Sequence, residues 1–203
     1  MNTPVNILAI VGSYRKGGII DRAVDEILAS ARENGALTRK ITLLDKHLSF
    51  CTNCRSCTQI AGDNYGLCVL DDDMGALLQE IDKSDALILA SPMNAGTVTA
   101  IMKTFIERLV CTAYWPWGAP APKARRTGKS KRAVLIASSA APGILARITG
   151  DVTKRLKLAA TMLGAEAVGT LFIGLAAQQQ HQELSKRTMN KAHKLGQKLA
   201  AGK

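Results

Sequence analysis

Two segments of the 203-residue chain carry residue types that could do chemistry. The first, residues 12–18, reads Gly-Ser-Tyr-Arg-Lys-Gly-Gly and follows a short apolar run. Glycines let a ligand approach the backbone closely, and the first turn of a following helix offers free N–H groups at the positive end of its dipole. Ser13 adds a hydroxyl, and Arg15 and Lys16 add positive charge. The segment therefore predicts a cradle for one phosphate group.

Two familiar phosphate-binding motifs do not match this segment. A Walker A loop needs a Lys and a Ser or Thr after its second glycine, and Gly18 and Ile19 stand there. The dinucleotide fingerprint Gly-x-Gly-x-x-Gly fails because residue 14 is Tyr. The sequence thus argues against nucleoside triphosphate hydrolysis and against the usual dinucleotide site.

The second segment is a group of cysteines. Two residues separate Cys51 from Cys54 and Cys54 from Cys57, and ten residues separate Cys57 from Cys68. Such spacing is typical of iron–sulfur ligation, although zinc binding and free or redox-active thiols stay open as alternatives. Cys111 lies on the apolar side of a predicted helix and is interpreted as a core residue.

The elements that must position these residues alternate along the chain. Apolar runs of strand length lie at residues 5–11, 37–44, 86–90, 133–137 and 168–173. Helical spacing of apolar residues covers residues 19–31, 74–81, 98–110 and 144–163, and a weaker pattern runs from about residue 180 to the end. This alternation predicts one α/β domain over residues 1–203, doubly wound, with a five-stranded parallel sheet and helices on both faces.

In sheets of this kind, ligands bind beyond the carboxyl ends of the strands. Three loops should therefore form the site: residues 12–18, the segment after residue 90, and the segment after residue 137. The middle segment, residues 91–97, reads Ser-Pro-Met-Asn-Ala-Gly-Thr, and its small polar residues suit the edge of a flat ligand. We expect strand three to end at Ser91 and Pro92 and the next helix to begin at Thr97 or Val98.

Together these motifs resemble the NAD(P)H-dependent FMN reductases of the flavodoxin-like fold. The resemblance is carried by residues 12–20, by residues 91–100 and by Lys103, Phe105, Glu107 and Arg108, and it runs from about residue 5 to residue 174. It departs from the family at Ile19 and Ile20, which replace a polar pair, and at Asn94, which replaces an aromatic residue. The resemblance implies the strand order 2-1-3-4-5.

The resemblance also implies bound FMN, with NAD(P)H as co-substrate and a small-molecule electron acceptor. The residues expected at the cofactor come from all three loops: Ser13, Arg15, Lys16, Gly17, Gly18, Ile19, Ile20, Ser91, Pro92, Met93, Asn94, Ala95, Gly96, Thr97 and Ser138. No side chain is expected as catalytic acid or base, because the flavin performs the hydride chemistry. The three histidines show no pairing pattern.

A branch with the same fold, the iron–sulfur flavoproteins, carries a compact cysteine motif after strand two. Resemblance to that branch implies an alternative function in electron transfer, with a [4Fe–4S] cluster on Cys51, Cys54, Cys57 and Cys68. A second alternative is a non-enzymatic basic binding module. The aromatic segment at residues 114–117 is interpreted either as a stacking surface for ring or substrate, or as part of a subunit interface.

The net charge of +11 comes from two segments. Residues 123–132 contribute +6 and the predicted C-terminal helix, from about residue 180 to 203, contributes +5. These charges are interpreted either as solvated surface or as a guide for an anionic partner, such as the 2′-phosphate of NADPH at Arg125 or Arg126.

The remaining expectations concern the protein's surroundings. No nucleic-acid-binding motif and no apolar stretch of membrane-spanning length occur in the sequence. With no secretory signal at the start, we expect a cytoplasmic protein. The family resemblance implies a homo-oligomer, either a dimer or a tetramer.

Overall fold

The computed structural model describes residues 3–128 and 130–201. Strands are, in chain order, β1 (Asn6–Val11), β2 (Leu37–Thr42), β3 (Ala86–Asn94), β4 (Thr97–Val98), β5 (Ala113–Tyr114), β6 (Lys123–Ala124), β7 (Lys131–Ser138) and β8 (Ala165–Ile173). Helices are α1 (Ile19–Glu33), α2 (Met74–Asp82), α3 (Ala100–Arg108), α4 (Gly143–Thr149), α5 (Val152–Met162) and α6 (Lys186–Ala200).

The five long strands form one parallel sheet in the order β2-β1-β3-β7-β8. Counting only these long strands, this is the predicted order 2-1-3-4-5, which is therefore confirmed. The order reverses between β1 and β3, so the loops after these two strands lie side by side at the carboxyl edge.

Each face of the sheet is covered by helices because alternate strand residues point to opposite sides. On one face, Ile7, Ala9 and Val11 of β1 pack with α1 and α6. On the other face, Leu8 and Ile10 pack with α2, α3 and α5. Two separate apolar clusters thus stabilise the sheet from both sides.

The contact between α1 and α6 depends on a glycine. A Cβ atom added at Gly196 would lie 2.4 Å from the carbonyl oxygen of Ile27. Ser30 donates its hydroxyl to the carbonyl oxygen of His193 at 2.8 Å across the same contact. The two helices can approach this closely only because residue 196 has no side chain.

The prediction for the end of strand three and the start of helix three was wrong. β3 continues to Asn94, and Ala95 and Gly96, with φ of 47° and 81°, turn the chain back into β4. Helix α3 begins only at Ala100, and Thr99 is its N-cap, accepting a hydrogen bond from the N–H of Met102. The small polar segment that suited a ligand edge is therefore a tight hairpin.

The single helix predicted over residues 144–163 is in fact two helices. Gly150 breaks the pattern between α4 and α5, where the N–H of Asp151 donates to the carbonyl oxygen of Gly96 at 2.8 Å. A Cβ at Gly150 would lie 2.4 Å from Sδ of Met93. The break therefore lets the chain pack against the hairpin that follows β3.

The two basic segments have defined structure. Residues 123–132 include β6 and the start of β7, and the C-terminal helix begins at Lys186, later than expected. Lys129 and Lys203, which contribute to the charge of these segments, lie outside the described residues. Among the described residues, no helix is long and apolar enough to cross a membrane.

Candidate FMN site and cysteine site

The loop after β1 leads directly into the first turn of α1. Ser13 is buried, and its hydroxyl accepts a hydrogen bond from the N–H of Arg15 at 3.2 Å. Gly18 is the N-cap of α1 and provides no side-chain cap. The N–H groups of Ile19 and Ile20 have no intrahelical acceptors because they start the helix. These donors and the helix dipole together favour an anion.

Two residues of this loop, Lys16 and Gly17, contact acidic side chains, and a third, Arg15, does not. Lys16 forms an ion pair with Asp45, with Nζ 2.6 Å from Oδ1, and the N–H of Gly17 donates to Asp21 Oδ2 at 2.7 Å. The guanidinium of Arg15 has no hydrogen-bond or ion-pair partner among residues 3–128 and 130–201, and its side chain lies over Gly18. Arg15 is thus the cation of this loop that remains available to a ligand.

A buried hydroxyl network joins the loops after β1 and β3. Ser91 is fully buried, donates to the carbonyl oxygen of Pro92 at 2.9 Å and accepts from the N–H of Thr99 at 3.1 Å. Thr99 in turn donates to the carbonyl oxygen of Gly12 at 2.5 Å. Ser91 therefore holds the two loops together. We expected Ser91 at the cofactor, but its hydroxyl is engaged by Pro92 and Thr99.

A cavity of about 290 Å³ opens where the three predicted loops meet. Its walls include nine of the predicted cofactor residues, namely Ser13, Arg15, Gly18, Ile19, Ile20, Pro92, Met93, Asn94 and Ser138. The other six do not line it, namely Lys16, Gly17, Ser91, Ala95, Gly96 and Thr97. The first three of these are turned away by the contacts given above, and the last three form the hairpin turn beyond Asn94.

Sequence reasoning missed five further wall residues, namely Tyr14, Ser139, Ala140, Ala176 and Ala177. The last two follow β8, and the N–H of Ala176 donates to the carbonyl oxygen of Ser139 at 2.8 Å. No motif marks this segment, so only the fold reveals it. Tyr14 lies in the recognised loop, and its hydroxyl accepts from the N–H of Ile101 at 3.1 Å.

The chemistry of this cavity fits FMN. An anionic phosphate would meet the free N–H groups of Ile19 and Ile20 together with Arg15. The remaining walls come mostly from small residues, namely Ser13, Ser138, Ser139, Ala140, Ala176 and Ala177, together with Tyr14, Pro92, Met93 and Asn94.

The four predicted metal-ligating cysteines lie in one loop, residues 51–68, and they differ from one another in exposure. Cys57 and Cys111 are buried, Cys51 is half-buried, and Cys54 and Cys68 are exposed. Burial raises the pKa of Cys57, and negative charge on Cys68, Cys51 or Cys54 would raise it further. Among the described residues, no three His, Cys, Asp or Glu side chains are positioned to hold a metal ion.

The prediction that Cys111 is a core residue is confirmed, because it lies in one of the two apolar clusters. Burial, followed by the charges of Cys57 and Cys68, raises the pKa of the Cys111 thiol to about 12. This side chain also lines, with Cys68, a second cavity of about 510 Å³. Cys111 is buried as predicted, but it borders the cysteine motif, which its distance in sequence did not reveal.

A buried ion pair lies beside Cys68. Arg108 binds Asp72 with both of its terminal nitrogens, and both side chains are almost completely buried. Burial alone would raise the pKa of Asp72, but hydrogen bonds from Arg108, Ser49 and Met74 outweigh it and lower the pKa. Nη2 of Arg108 also lies 3.5 Å from Sγ of Cys68.

The two arginines considered for NADPH already have protein partners. Arg125 donates to main-chain carbonyl oxygens, including that of Cys57 at 2.9 Å. Arg126 pairs with Asp82, with Nη1 2.7 Å from Oδ1, and its guanidinium lies 4.5 Å from the ring centre of Tyr65. Neither side chain lines the cavity beside α1, so the structure does not support a 2′-phosphate site at these residues.

The aromatic segment also has an internal partner. The guanidinium of Arg55 lies 3.9 Å from the ring centre of Trp115 and 4.2 Å from that of Trp117. Neither tryptophan lines the predicted flavin cavity, so stacking on the ring from within this chain is not supported.

Comparison with curated proteins gives relatives along almost the whole chain. An iron–sulfur flavoprotein of Archaeoglobus fulgidus is 32% identical over 193 residues, which cover 95% of this chain and 78% of that protein. An iron–sulfur flavoprotein of Methanocaldococcus jannaschii is 33% identical over 104 residues, and the match covers 51% of each chain. The chain thus matches only about half the length of this second relative.

Comparison with solved structures supports the fold. An azoreductase from Bacillus anthracis superimposes with a TM-score of 0.71 at 15% identity, covering 96% of this chain and 99% of that one. Since this identity is low, the likeness shows the fold, which is flavodoxin-like. The model of the family described as NADPH-dependent FMN reductase matches residues 5–180. With that match over most of the chain, and with a cavity suited to FMN between the predicted loops, the chain belongs to the NADPH-dependent FMN reductase family.

Proposed function

We propose that this protein is an FMN-dependent NAD(P)H oxidoreductase of the flavin or quinone reductase type. The observation that carries the proposal is the cavity at the carboxyl edge of the sheet. It is lined by the first turn of α1 and by Arg15, whose guanidinium has no partner among the described residues. Family membership favours this function over a non-enzymatic basic binding module.

FMN bound there would supply the redox chemistry, taking a hydride from the nicotinamide and passing electrons to a small-molecule acceptor. The chain's own residues bind and orient it. Arg15 and the first turn of α1 would hold the phosphate. Ser91 and Thr99 would keep the loops after β1 and β3 at a fixed separation through their buried hydrogen bonds.

Small residues make up most of the cavity in which the ring would bind. Pro92, Met93 and Asn94 form one wall, and Ser138 and Ser139 form another. Main-chain amides and these small side chains would contact the ring's polar edge, and no side chain of the cavity is assigned as a proton donor.

Anaerobic mixing of the FMN-loaded protein with NADPH or NADH tests hydride transfer. The proposal expects the long-wavelength absorbance of the bound flavin to bleach in one turnover and to return when a quinone or free flavin is added. A bound flavin that neither NADPH nor NADH bleaches would refute the proposed activity while leaving FMN binding intact.

A second function is favoured by the cysteine site. Cys51, Cys54, Cys57 and Cys68 offer an all-thiolate donor set within one loop, which suits an iron–sulfur cluster. The similar curated proteins are iron–sulfur flavoproteins. A [4Fe–4S] cluster on these four residues would make the protein an iron–sulfur flavoprotein that carries electrons one at a time.

Anaerobic purification followed by iron and sulfide analysis tests this second function. Cys54→Ser should abolish bound iron, whereas Cys111→Ala should retain it because Cys111 is outside the proposed ligand set. Wild-type protein without iron or sulfide, even after anaerobic reconstitution, would exclude the cluster and leave the FMN proposal standing.

A further inference from the structure

Two arginines, Arg55 and Arg125, join the cysteine loop, residues 51–68, to a second segment of the chain. That segment is the residue 111–125 hairpin, which includes β5 and β6 and the two tryptophans. Backbone hydrogen bonds also join the two segments: the N–H of Trp115 donates to Thr58 and the N–H of Gly66 donates to Cys111, both at 2.9 Å.

Arg125 collects carbonyl oxygens from both segments. Its Nη2 donates to Cys57 at 2.9 Å and its Nη1 donates to Gly62 at 3.1 Å, both in the cysteine loop. Its Nε donates to Cys111 and Ala113 of the hairpin, each at 3.1 Å. One planar guanidinium thus fixes the backbone of the two buried thiols, Cys57 and Cys111, relative to each other.

The packing around this guanidinium leaves no room for adjustment. A Cβ atom added at Gly66 would lie 1.6 Å from the carbonyl oxygen of Cys57 and 2.9 Å from Nη2 of Arg125. The return of the loop toward Cys68 therefore passes directly over the carbonyl that Arg125 holds.

Arg55, which lies between Cys54 and Cys57 in the sequence, makes the second attachment of the loop to the hairpin. Its backbone is left-handed, with φ of 60°, and its guanidinium lies between the rings of Trp115 and Trp117. Nη2 donates to the carbonyl oxygen of Trp115 at 2.5 Å. Stacking and hydrogen bonding together hold this side chain, which a flexible ammonium group could not reproduce.

The Nε atom of Arg55 is buried and has no hydrogen-bond partner among the described residues. A buried N–H without an acceptor is costly, so this side chain is held by its other contacts.

We propose that Arg55 and Arg125 are the positioning residues of the cysteine site, and that the 111–125 hairpin is its scaffold. This inference rests on the second proposed function for the identity of the ligand. The arrangement of the thiols themselves is a property of the chain alone. Arg125, one of the two arginines considered for NADPH, and the tryptophans of the aromatic segment thus contribute to the same internal contact.

In the first test, the full chain is treated with a chelator and then labelled with N-ethylmaleimide. Mass spectrometry of its peptides gives the labelling rate of each cysteine. Arg125→Lys keeps the charge but loses the fork of donors, so Cys57 and Cys111 should be labelled about tenfold faster or more. Labelling of exposed Cys54 should stay within about twofold of wild type. Arg147→Lys is the matched control, since Arg147 lies over the Phe172 ring at 5.0 Å, outside this site.

Binding of FMN is measured on the same samples and should be unchanged. Unchanged labelling of Cys57 and Cys111 in Arg125→Lys would overturn the proposal. If that variant loses FMN binding as well, Arg55→Lys decides: the proposal expects faster labelling of Cys57 with FMN binding retained, and wild-type labelling there refutes it.

Iron content separates this inference from the function on which it rests. If the wild type holds iron, both lysine variants should lose most of it while Arg147→Lys keeps it, and full iron in both would contradict the positioning role. If the wild type holds no iron, the cluster proposal fails, and the labelling rates still decide whether the arginines position the thiols.

Discussion

Arg15 and Lys16 are adjacent in sequence, yet only Lys16 has a side-chain partner among the described residues. Both were predicted at the phosphate because their types and their loop suit an anion. Lys16 instead pairs with Asp45, an interaction between residues 29 positions apart that no local pattern reveals. The partner of Ser91 was also not predictable from local sequence, because Thr99 reaches it only through the turn from β3 into β4. Local chemistry therefore identified the loop, and tertiary contacts decided which of its side chains are free.

Replacing Arg15 with Ala should weaken FMN binding about tenfold to a hundredfold, the effect of losing a hydrogen bond to a charged group. Binding of riboflavin, which lacks the phosphate, should hardly change. Fluorescence titration measures both, and Lys16→Ala is the control that should leave both affinities near wild type. Equal weakening of FMN and riboflavin by Arg15→Ala would place the effect elsewhere than at the phosphate.

Thr99→Val should destabilise the fold by about 1–3 kcal/mol, because it leaves the carbonyl oxygen of Gly12 and the N–H of Met102 without their partner. Urea unfolding monitored by circular dichroism gives the change in the free energy of unfolding. Thr149→Val, at a hydroxyl that donates within exposed α4, is the comparison. A loss at Thr99 no larger than at Thr149 would argue against the buried network.

At the scale of elements, the five long strands and their order follow from the sequence. Apolar runs without polar alternation indicate strands buried on both faces, and the family resemblance implied their order. The β3–β4 hairpin and the break between α4 and α5 did not follow. The hairpin and the helix break depend on each other, because Met93 and Gly96 of the hairpin pack directly against Gly150 at the break. Such mutual contacts between distant segments leave no periodic signal in either one.

The ion pair between Asp82 of α2 and Arg126 should make stability depend on pH. Burial would raise the pKa of Asp82, but the bonds from Arg126 and Tyr65 outweigh it and lower the pKa below 3.8. A lowered pKa stabilises the folded state above the unfolded value, and that contribution is lost as pH falls through the folded value. Asp82→Asn should therefore lower the urea midpoint at neutral pH.

The same comparison below both pKa values should show the difference shrinking. There, the wild-type carboxyl is protonated and resembles the amide. A deficit of Asp82→Asn that persists unchanged at acid pH would assign it to packing and not to charge.

At the scale of the whole molecule, the basic residues behind the charge of +11 are of two kinds, those bonded within the fold and those exposed to solvent. In the basic loop, Arg125, Arg126, Lys131 and Arg132 bind backbone carbonyls or Asp82. These four charges therefore stabilise the fold, which neither interpretation from sequence anticipated. In α6, Lys186, Arg187, Lys191 and Lys194 are exposed, which agrees with a solvated surface. The single domain, the homo-oligomer and the cytoplasmic location stay predictions.

Arg126→Gln should leave the ratio of the KM values for NADPH and NADH within about twofold of wild type, because this side chain is occupied by Asp82 and Tyr65. Steady-state kinetics with both nicotinamides measure the ratio. A selective rise in KM for NADPH would restore the 2′-phosphate interpretation.

The most direct test of the account is titration of the purified chain with FMN, followed by flavin fluorescence and absorbance. The cavity and its phosphate cradle predict saturable binding of one FMN per chain, tighter than that of riboflavin. A colourless protein that takes up no FMN would contradict the central claim that the carboxyl edge of this sheet is a flavin site.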